Sequence, residues 1–175
     1  ADCYYKKEYF IEAFNAYKMF KELHPRHAQS DYVTYHAAES LREQLPTTVD
    51  RDLTQASQAI QLYEEIATAY PTSKYAADSK EKRAKLIQML ADKELYVADF
   101  YFRREKFTGA MVRYDLFLQM FPQNQKVPYA LLRAGQSARL AKVHDRVGPF
   151  ISRLIQEYPS STEAGEARKE FPNVR

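Results

Sequence analysis

The sequence predicts an all-α fold of antiparallel helix pairs, and three observations carry that prediction. Glycine accounts for only 4 of 175 residues, and neither Asn-Gly nor Asp-Gly, the usual hairpin turns, occurs. An aromatic residue or histidine followed by proline recurs at His24-Pro25, Tyr70-Pro71, Phe121-Pro122 and Tyr158-Pro159. Each closes an apolar run with the same internal order. Eight residues before the proline stands Tyr17, Tyr63, Tyr114 or Ile151; five before stands Phe20, Ile66, Phe117 or Leu154; twelve before stands Ala13, Ala59, Ala110 or Val147.

Small, large, large and then a helix stop is the order of the second helix of a tetratricopeptide unit. The small residue lets paired helices approach, the two large ones fill the gap to the next helix, and proline cannot continue the helix. The expected architecture is a tetratricopeptide-like superhelix of antiparallel helix pairs with one long connecting helix. It divides into an N-terminal repeat subarray, 1–73, with a truncated first pair, and a segment 74–175 holding the long helix and a C-terminal subarray, in one continuous α-solenoid.

The elements follow in order. Residues near 1–7 read as the stub of a first helix, and 9–24 as its partner, with Phe10, Ala13, Phe14, Tyr17 and Phe20 at spacings of three and four. A second pair covers about 31–44 and 53–70. Between them, 45–52 is an insertion, and Asp52 with Gln55 reads as a capping box. After Pro71, Thr72-Ser73 can cap a helix from about 74 to 104 that meets neither glycine nor proline and would extend about 45 Å. Ala98 and Tyr101 supply its small and aromatic positions. The prolines reflect both irregularities, standing 46, 51 and 37 residues apart against about 34 in a regular unit. In the fourth pair Gly135 takes the small position, and Ser160 with Glu163 caps a last helix toward Arg168.

Composition narrows the function. A formal net charge of +3 is too mild to imply nucleic acid. No apolar stretch reaches the ~20 residues that span a bilayer, and the first residues form no charged-then-apolar leader. The N-terminus reads as a truncation or a processed end. The single cysteine, Cys3, cannot form an internal disulfide and is expected to be a buried structural thiol. There is no glycine-rich phosphate loop, His-Glu-x-x-His or Cys-x-x-Cys, so no catalytic residue, cofactor or metal site is expected. His24 and His27 flank Pro25, which breaks the register that would aim both rings at one metal; with only Asp31 nearby, they read as solvated. His36 and His144 read as helix-surface or interface residues. Lys80, Lys82, Arg83 and Lys85, interleaved with Asp78 and Glu81, read as a solvated, ion-paired face; contact with an acidic partner or anionic lipid is the functional alternative.

If Ala38 is the small packing residue of the helix from Asp31, then Tyr32, Tyr35, Glu39 and Arg42 lie on the face that a repeat superhelix turns inward. Tyrosines with one acid and one base suit an extended or aromatic-ended peptide. These four are the expected peptide-binding residues. Two other classes compete: a periplasmic tetratricopeptide adaptor coordinating envelope processes, and a peptide-binding cochaperone. The irregular proline spacings weigh against the first. The inward positions Tyr35, Leu95 and Leu132, which make no carboxylate clamp, weigh against the second.

The ordered set of the Asp-Arg-Asp insertion at 50–52, Tyr70-Pro-Thr-Ser-Lys-Tyr75, Asp31-Tyr-Val-Thr-Tyr35 and Glu94-Leu-Tyr-Val-Ala-Asp-Phe-Tyr101 resembles the BamD family over essentially the whole chain. That family comprises lipoprotein subunits of the bacterial machinery that assembles outer-membrane β-barrels. The resemblance implies a non-catalytic scaffold at the periplasmic face of the outer membrane. Its implied partners are the periplasmic domains of the barrel-forming subunit, other assembly lipoproteins and unfolded outer-membrane clients; nucleic acid is not among them. Membrane contact is implied only through a lipid anchor, which, with the family's first repeat, is expected to lie outside the given sequence. Arg113 occupies the place of an arginine on the family's docking surface, and Arg139 is a second expected partner contact. By its residue type alone Arg113 is equally an ordinary exposed helix residue.

Overall fold

The computed structural model describes residues 1–46, 48 and 51–174. Among these residues the chain is helical without strands: α1 (Asp2–Lys6), α2 (Phe10–Leu23), α3 (Ser30–Arg42), α4 (Thr54–Ala69), α5 (Ala76–Arg103), α6 (Phe107–Met120), α7 (Val127–Leu140), α8 (His144–Glu157) and α9 (Thr162–Glu170). Successive helices pair as α1/α2, α3/α4, α5/α6 and α7/α8, the tetratricopeptide arrangement. They form two compact units, Ala1–Leu90 and Ala91–Arg175, so that α5 contributes to both.

The repeated positions form the core. Ala13, Ala59 and Ala110 are fully buried, as are Tyr63, Tyr114 and Ile151; Tyr17 is nearly so. In the N-terminal unit, Ala38, Leu41, Ala59, Tyr63, Ile66 and Leu86 make one apolar cluster, and Ala13, Tyr17, Val33 and Ala37 make another. In the C-terminal unit Phe117, Leu131 and Leu154 are fully buried. Burying side chains of this size stabilises by about 1.5–3 kcal/mol each. Gly135 has a local steric reason, because a Cβ there would lie 2.5 Å from Ile151 Cδ1.

The turns repeat as the helices do. Within pairs one, three and four the chain turns through a left-handed residue, Glu8, Glu105 or Lys142, at φ near 60°. The same two amide bonds close each turn: Glu8 to Tyr5 and Tyr9 to Tyr4, Glu105 to Phe102 and Lys106 to Tyr101, Lys142 to Arg139 and Val143 to Ala138. These are Schellman caps without glycine. Between pairs, the aromatic-Pro dipeptides end α2, α4, α6 and α8, and a further one, Phe171-Pro172, ends α9. Pro149 lies inside α8 without ending it.

Four local expectations are corrected. Cys3 is exposed, because the short α1 directs Asp2 and Tyr5 toward its neighbours and buries no residue. The N-cap of α4 is Leu53; Asp52 accepts from the amide and hydroxyl of Thr54, and Gln55 bonds Gln44, so no capping box forms. The N-cap of α9 is Ser161, which accepts from the Ala164 amide, rather than Ser160. The run 80–85 is only partly a solvated face, since Lys82 reaches Glu39 of α3 and Arg83 reaches Glu64 of α4. The expected insertion includes residues 47, 49 and 50, outside the described residues.

Candidate functional site

The tyrosine eight residues before the proline has a polar as well as an apolar role. Tyr17 donates to Asp2 at 2.6 Å, Tyr63 donates to Glu39, and Tyr114 donates to Asp99 at 2.5 Å. In each case the hydroxyl of the second helix reaches a carboxylate on the first. The following helix supplies another donor: Tyr32 to Asp2 at 2.9 Å, Lys82 to Glu39 at 2.8 Å, and Tyr129 to Asp99 at 2.8 Å. One carboxylate thus joins three consecutive helices, three times. Among the described residues the fourth pair has no such junction; Ile151 fills the space beside Gly135, and Gln136 bonds Arg133 and Glu170 instead.

The junction at Glu39 is the most developed. Glu39 is 5% exposed and accepts from Arg42 Nη2 at 3.1 Å as well as from Tyr63 and Lys82. Burial would raise its pKa, but the bonds from Arg42, Lys82 and Tyr63 hold it below the ordinary glutamate value. Burial and the bond to Glu39 raise the Tyr63 hydroxyl well above its usual range. Tyr35 donates to Asp78 at 2.5 Å and accepts from Lys82 at 2.6 Å, and burial followed by the bond to Asp78 pushes it up to about 12. Its ring stacks on Tyr75 at 4.5 Å between centroids. Beside this network lies a pocket of about 330 Å³ lined by Arg42, Leu45, Pro46, Lys82, Leu86 and Met89 among others.

The structure therefore brings Tyr35, Glu39 and Arg42 together and places Tyr32 one cluster away, at Asp2, with its ring 4.3 Å from His36. Glu39 lies beneath the surface as a positioning residue, while Arg42 and the two tyrosine rings are half-buried. An ionised carboxylate saturated with donors holds neighbours in place; it is not poised to take a proton. Sequence reasoning missed Tyr63, Asp78 and Lys82, although tyrosine in three of the four repeated positions was a readable signal.

In the C-terminal unit, Arg113 of α6 is 40% exposed at its side chain, with Glu94 Oε2 at 3.5 Å from Nη1; that oxygen makes no hydrogen bond. Arg139 is tied to Glu170 and stacks on Phe171 at 4.9 Å. Leu95 and Leu132 are core residues, 3% and 4% exposed. His24 and His27 have ring centroids 6.4 Å apart, and among the described residues no group of three His, Cys, Asp or Glu is placed to hold a metal. No helix among those residues is long and apolar enough to cross a membrane.

Repeated helix pairs held together by structural carboxylates, with polar and aromatic side chains left at the surface, define a tetratricopeptide-type helical repeat protein. The family model described as YfiO, outer membrane lipoprotein, matches residues 1–147, and the chain belongs to that family. It is similar to the outer membrane protein assembly factor BamD of Neisseria meningitidis (serogroup A, strain Z2491), 29% identical over 140 residues that cover 75% of this chain and 52% of the relative. The corresponding protein of Rickettsia prowazekii is 28% identical over 87% of this chain and 60% of the relative. That of Vibrio cholerae is 28% identical over 70% and 54%. The chain spans little more than half the length of these relatives.

Proposed function

We propose that this chain is a non-catalytic scaffold in the assembly of outer-membrane β-barrel proteins, working at the periplasmic face of the outer membrane. The observation that carries the reading is its place in a family whose matching relatives are named outer membrane protein assembly factors. In this reading the C-terminal unit docks on the barrel-forming subunit and the N-terminal unit receives unfolded clients.

Arg113 supports the first half. Its guanidinium is accessible and pairs with Glu94 without a hydrogen bond, leaving its donors free for bidentate contact with a partner carboxylate. Arg139 is the weaker anchor, since Glu170 and Phe171 already engage it. Tyr32, Tyr35 and Arg42 support the second half, with Glu39 fixing Arg42 and Lys82 from below. Stacking on rigid tyrosines costs little entropy, and barrel strands, which alternate apolar and polar residues, provide the rings.

Calorimetric titration of the Arg113→Glu chain with the barrel subunit's periplasmic region tests docking: at least about tenfold weaker binding is expected, and unchanged affinity removes Arg113 from the interface. Crosslinking of a barrel-derived peptide should map to α3, with yield reduced in the Tyr32→Ala/Tyr35→Ala chain. Adducts confined to Ala91–Arg175 would place client binding in the other unit.

A further inference from the structure

Four exposed cations of the C-terminal unit gather at one edge. Arg103, Arg104, Lys106 and Lys142 are all exposed and, among the described residues, none pairs with a carboxylate. They occupy the end of α5, its turn into α6, and the equivalent turn from α7 into α8. The two turns are adjacent in space, for Glu105, Lys106 and Ala141 line one shallow depression of about 580 Å³ with Tyr101, Phe107, Thr108 and Gly109. Glu105 and Asp145 are the acidic residues nearby in the chain, leaving a positive balance. Five other cations of the unit pair with carboxylates: Arg113 with Glu94, Lys126 with Asp92, Arg139 with Glu170, Arg146 with Asp115 and Arg153 with Glu157; at the end of α9, Arg168 donates to the Pro159 carbonyl, and neither it nor Lys169 pairs with a carboxylate among the described residues. The proline-containing turns after α6 and α8 carry Gln123, Asn124, Gln125, Ser160 and Ser161, with Lys126 paired to Asp92 and the exposed Arg168 bonded to the Pro159 carbonyl.

Two apolar side chains flank the cations. Phe100 is 44% exposed beneath Arg104, whose guanidinium carbon lies 5.5 Å from the ring centroid, and Leu140 is 45% exposed two residues before Lys142. We infer that this edge is a contact surface for anionic phospholipid headgroups, with Lys and Arg meeting phosphates and Phe100 and Leu140 entering the interfacial layer. The choice of a lipid surface over an acidic protein rests on geometry. No neighbouring carboxylate or packed groove holds the four cations in the fixed fork that a specific carboxylate partner exploits, whereas a membrane surface requires only charge density and small apolar inserts. The contact does not depend on a lipid anchor and extends the expectation that an anchor alone reaches the membrane. It is also independent of the docking proposed for Arg113.

The test is co-sedimentation of the whole chain with vesicles of phosphatidylcholine mixed with phosphatidylglycerol, and with phosphatidylcholine vesicles alone. Binding to the mixed vesicles only is expected, weakening steeply between about 0.1 and 1 M salt as the Debye length shrinks. The Arg103→Gln/Arg104→Gln/Lys106→Gln/Lys142→Gln chain should partition at least about tenfold less, since each cation near an anionic surface contributes roughly fivefold, while Arg113→Glu should partition nearly as the parent does. Equal partition of the quadruple variant and the parent overturns the inference, as does salt-independent binding or equal binding to both vesicle types. Tighter binding to soluble polyglutamate than to mixed vesicles also overturns it, assigning the edge to an acidic protein. If the quadruple variant fails to fold, the Lys106→Gln/Lys142→Gln chain and the parent's salt dependence decide the matter.

Discussion

Pairs three and four share one turn geometry but join their helices in opposite ways. In α5/α6, Tyr114 and Tyr129 converge on Asp99; in α7/α8, Ile151 packs into the space left by Gly135. Both place a fully buried large side chain eight residues before the proline. The difference lies in what each tolerates. Where the carboxylate is buried, as at Glu39, the junction accepts no unsatisfied member, because a buried charge without partners is costly. An apolar junction asks only that its volume be filled. The N-terminal unit uses the polar solution at both Asp2 and Glu39, and there the junction also orients the side chains proposed to meet clients.

The largest expected effect breaks the polar junction outright. Glu39→Leu leaves Tyr63 without its acceptor and Lys82 with only Asp78 and the Tyr35 hydroxyl, and should cost about 3 kcal/mol, the lower end for a broken buried pair, because Lys82 keeps some access to solvent. Urea unfolding followed by tyrosine fluorescence measures it. A loss below about 1 kcal/mol would mean that the apolar cluster around Ala59 and Ile66 carries this junction without the carboxylate.

Acid reaches the same groups reversibly, and its effect is bounded by that of removing Glu39. Since the folded-state pKa of Glu39 lies below its unfolded value of 4.5, its contribution is complete above pH 4.5 and is lost as pH falls through the folded value. His36 acts in an earlier window: burial lowers its pKa below 6.5 although Asp2 and Glu39 pull upward. Folding therefore disfavours its protonation, and stability is lost as pH falls below 6.5 through the folded value. Unfolding curves between pH 8 and 3 should show both losses. His36→Asn should remove only the first and Glu39→Gln only the second. A parent curve flat over that range would contradict both assignments.

How much of this was legible follows from the range of each interaction. The helices were readable because their signals are local: the Ala59, Tyr63, Ile66 and Pro71 order, and an α5 free of glycine and proline. The N-cap Ser161 was missed by one residue because Ser160 offers an equivalent acceptor and only the turn decides between them; Leu53 was missed because an apolar side chain carries no capping signal, while the acceptor beside it, Asp52, bonds Thr54. The burial of Glu39 was not readable from its helix. Its partner Tyr63 lies 24 residues away and Lys82 lies on another helix, so an acid on a face expected to be open is compensated by groups that only the fold brings near. The Arg113–Glu94 pair is non-local in the same way.

The apolar junction can be stressed by a single methyl group. Gly135→Ala places a Cβ 2.5 Å from Ile151 Cδ1 and 2.8 Å from Cγ1, and Ile151 is fully buried with little room to yield. Overpacking costs about 1–3 kcal/mol, offset by the roughly 1 kcal/mol that alanine gains over glycine in a helix, so a net loss of about 1 kcal/mol is expected. Ile151→Val removes the nearer atom but keeps a γ carbon, and the double variant should recover part of the loss. Independent, additive effects in that cycle would mean the two residues do not share the space.

The smallest effect tests what the two pairs have in common. Glu105 at φ 58° and Lys142 at φ 61° occupy the same left-handed cap position, where a Cβ is unfavourable and glycine is the usual residue. Glu105→Gly and Lys142→Gly should each stabilise the chain by about 0.5 kcal/mol, the relieved strain being partly offset by glycine's greater freedom when unfolded. Alanine at either site keeps the Cβ and should give no such gain, which separates backbone relief from the loss of a charged side chain. The two gains should agree within a few tenths of a kcal/mol, because the turns share the same amide bonds even though the junctions they serve differ. A clear disparity, with one glycine stabilising and the other not, would show that the polar and apolar junctions reach into their turns and that the pairs are not built from independent parts.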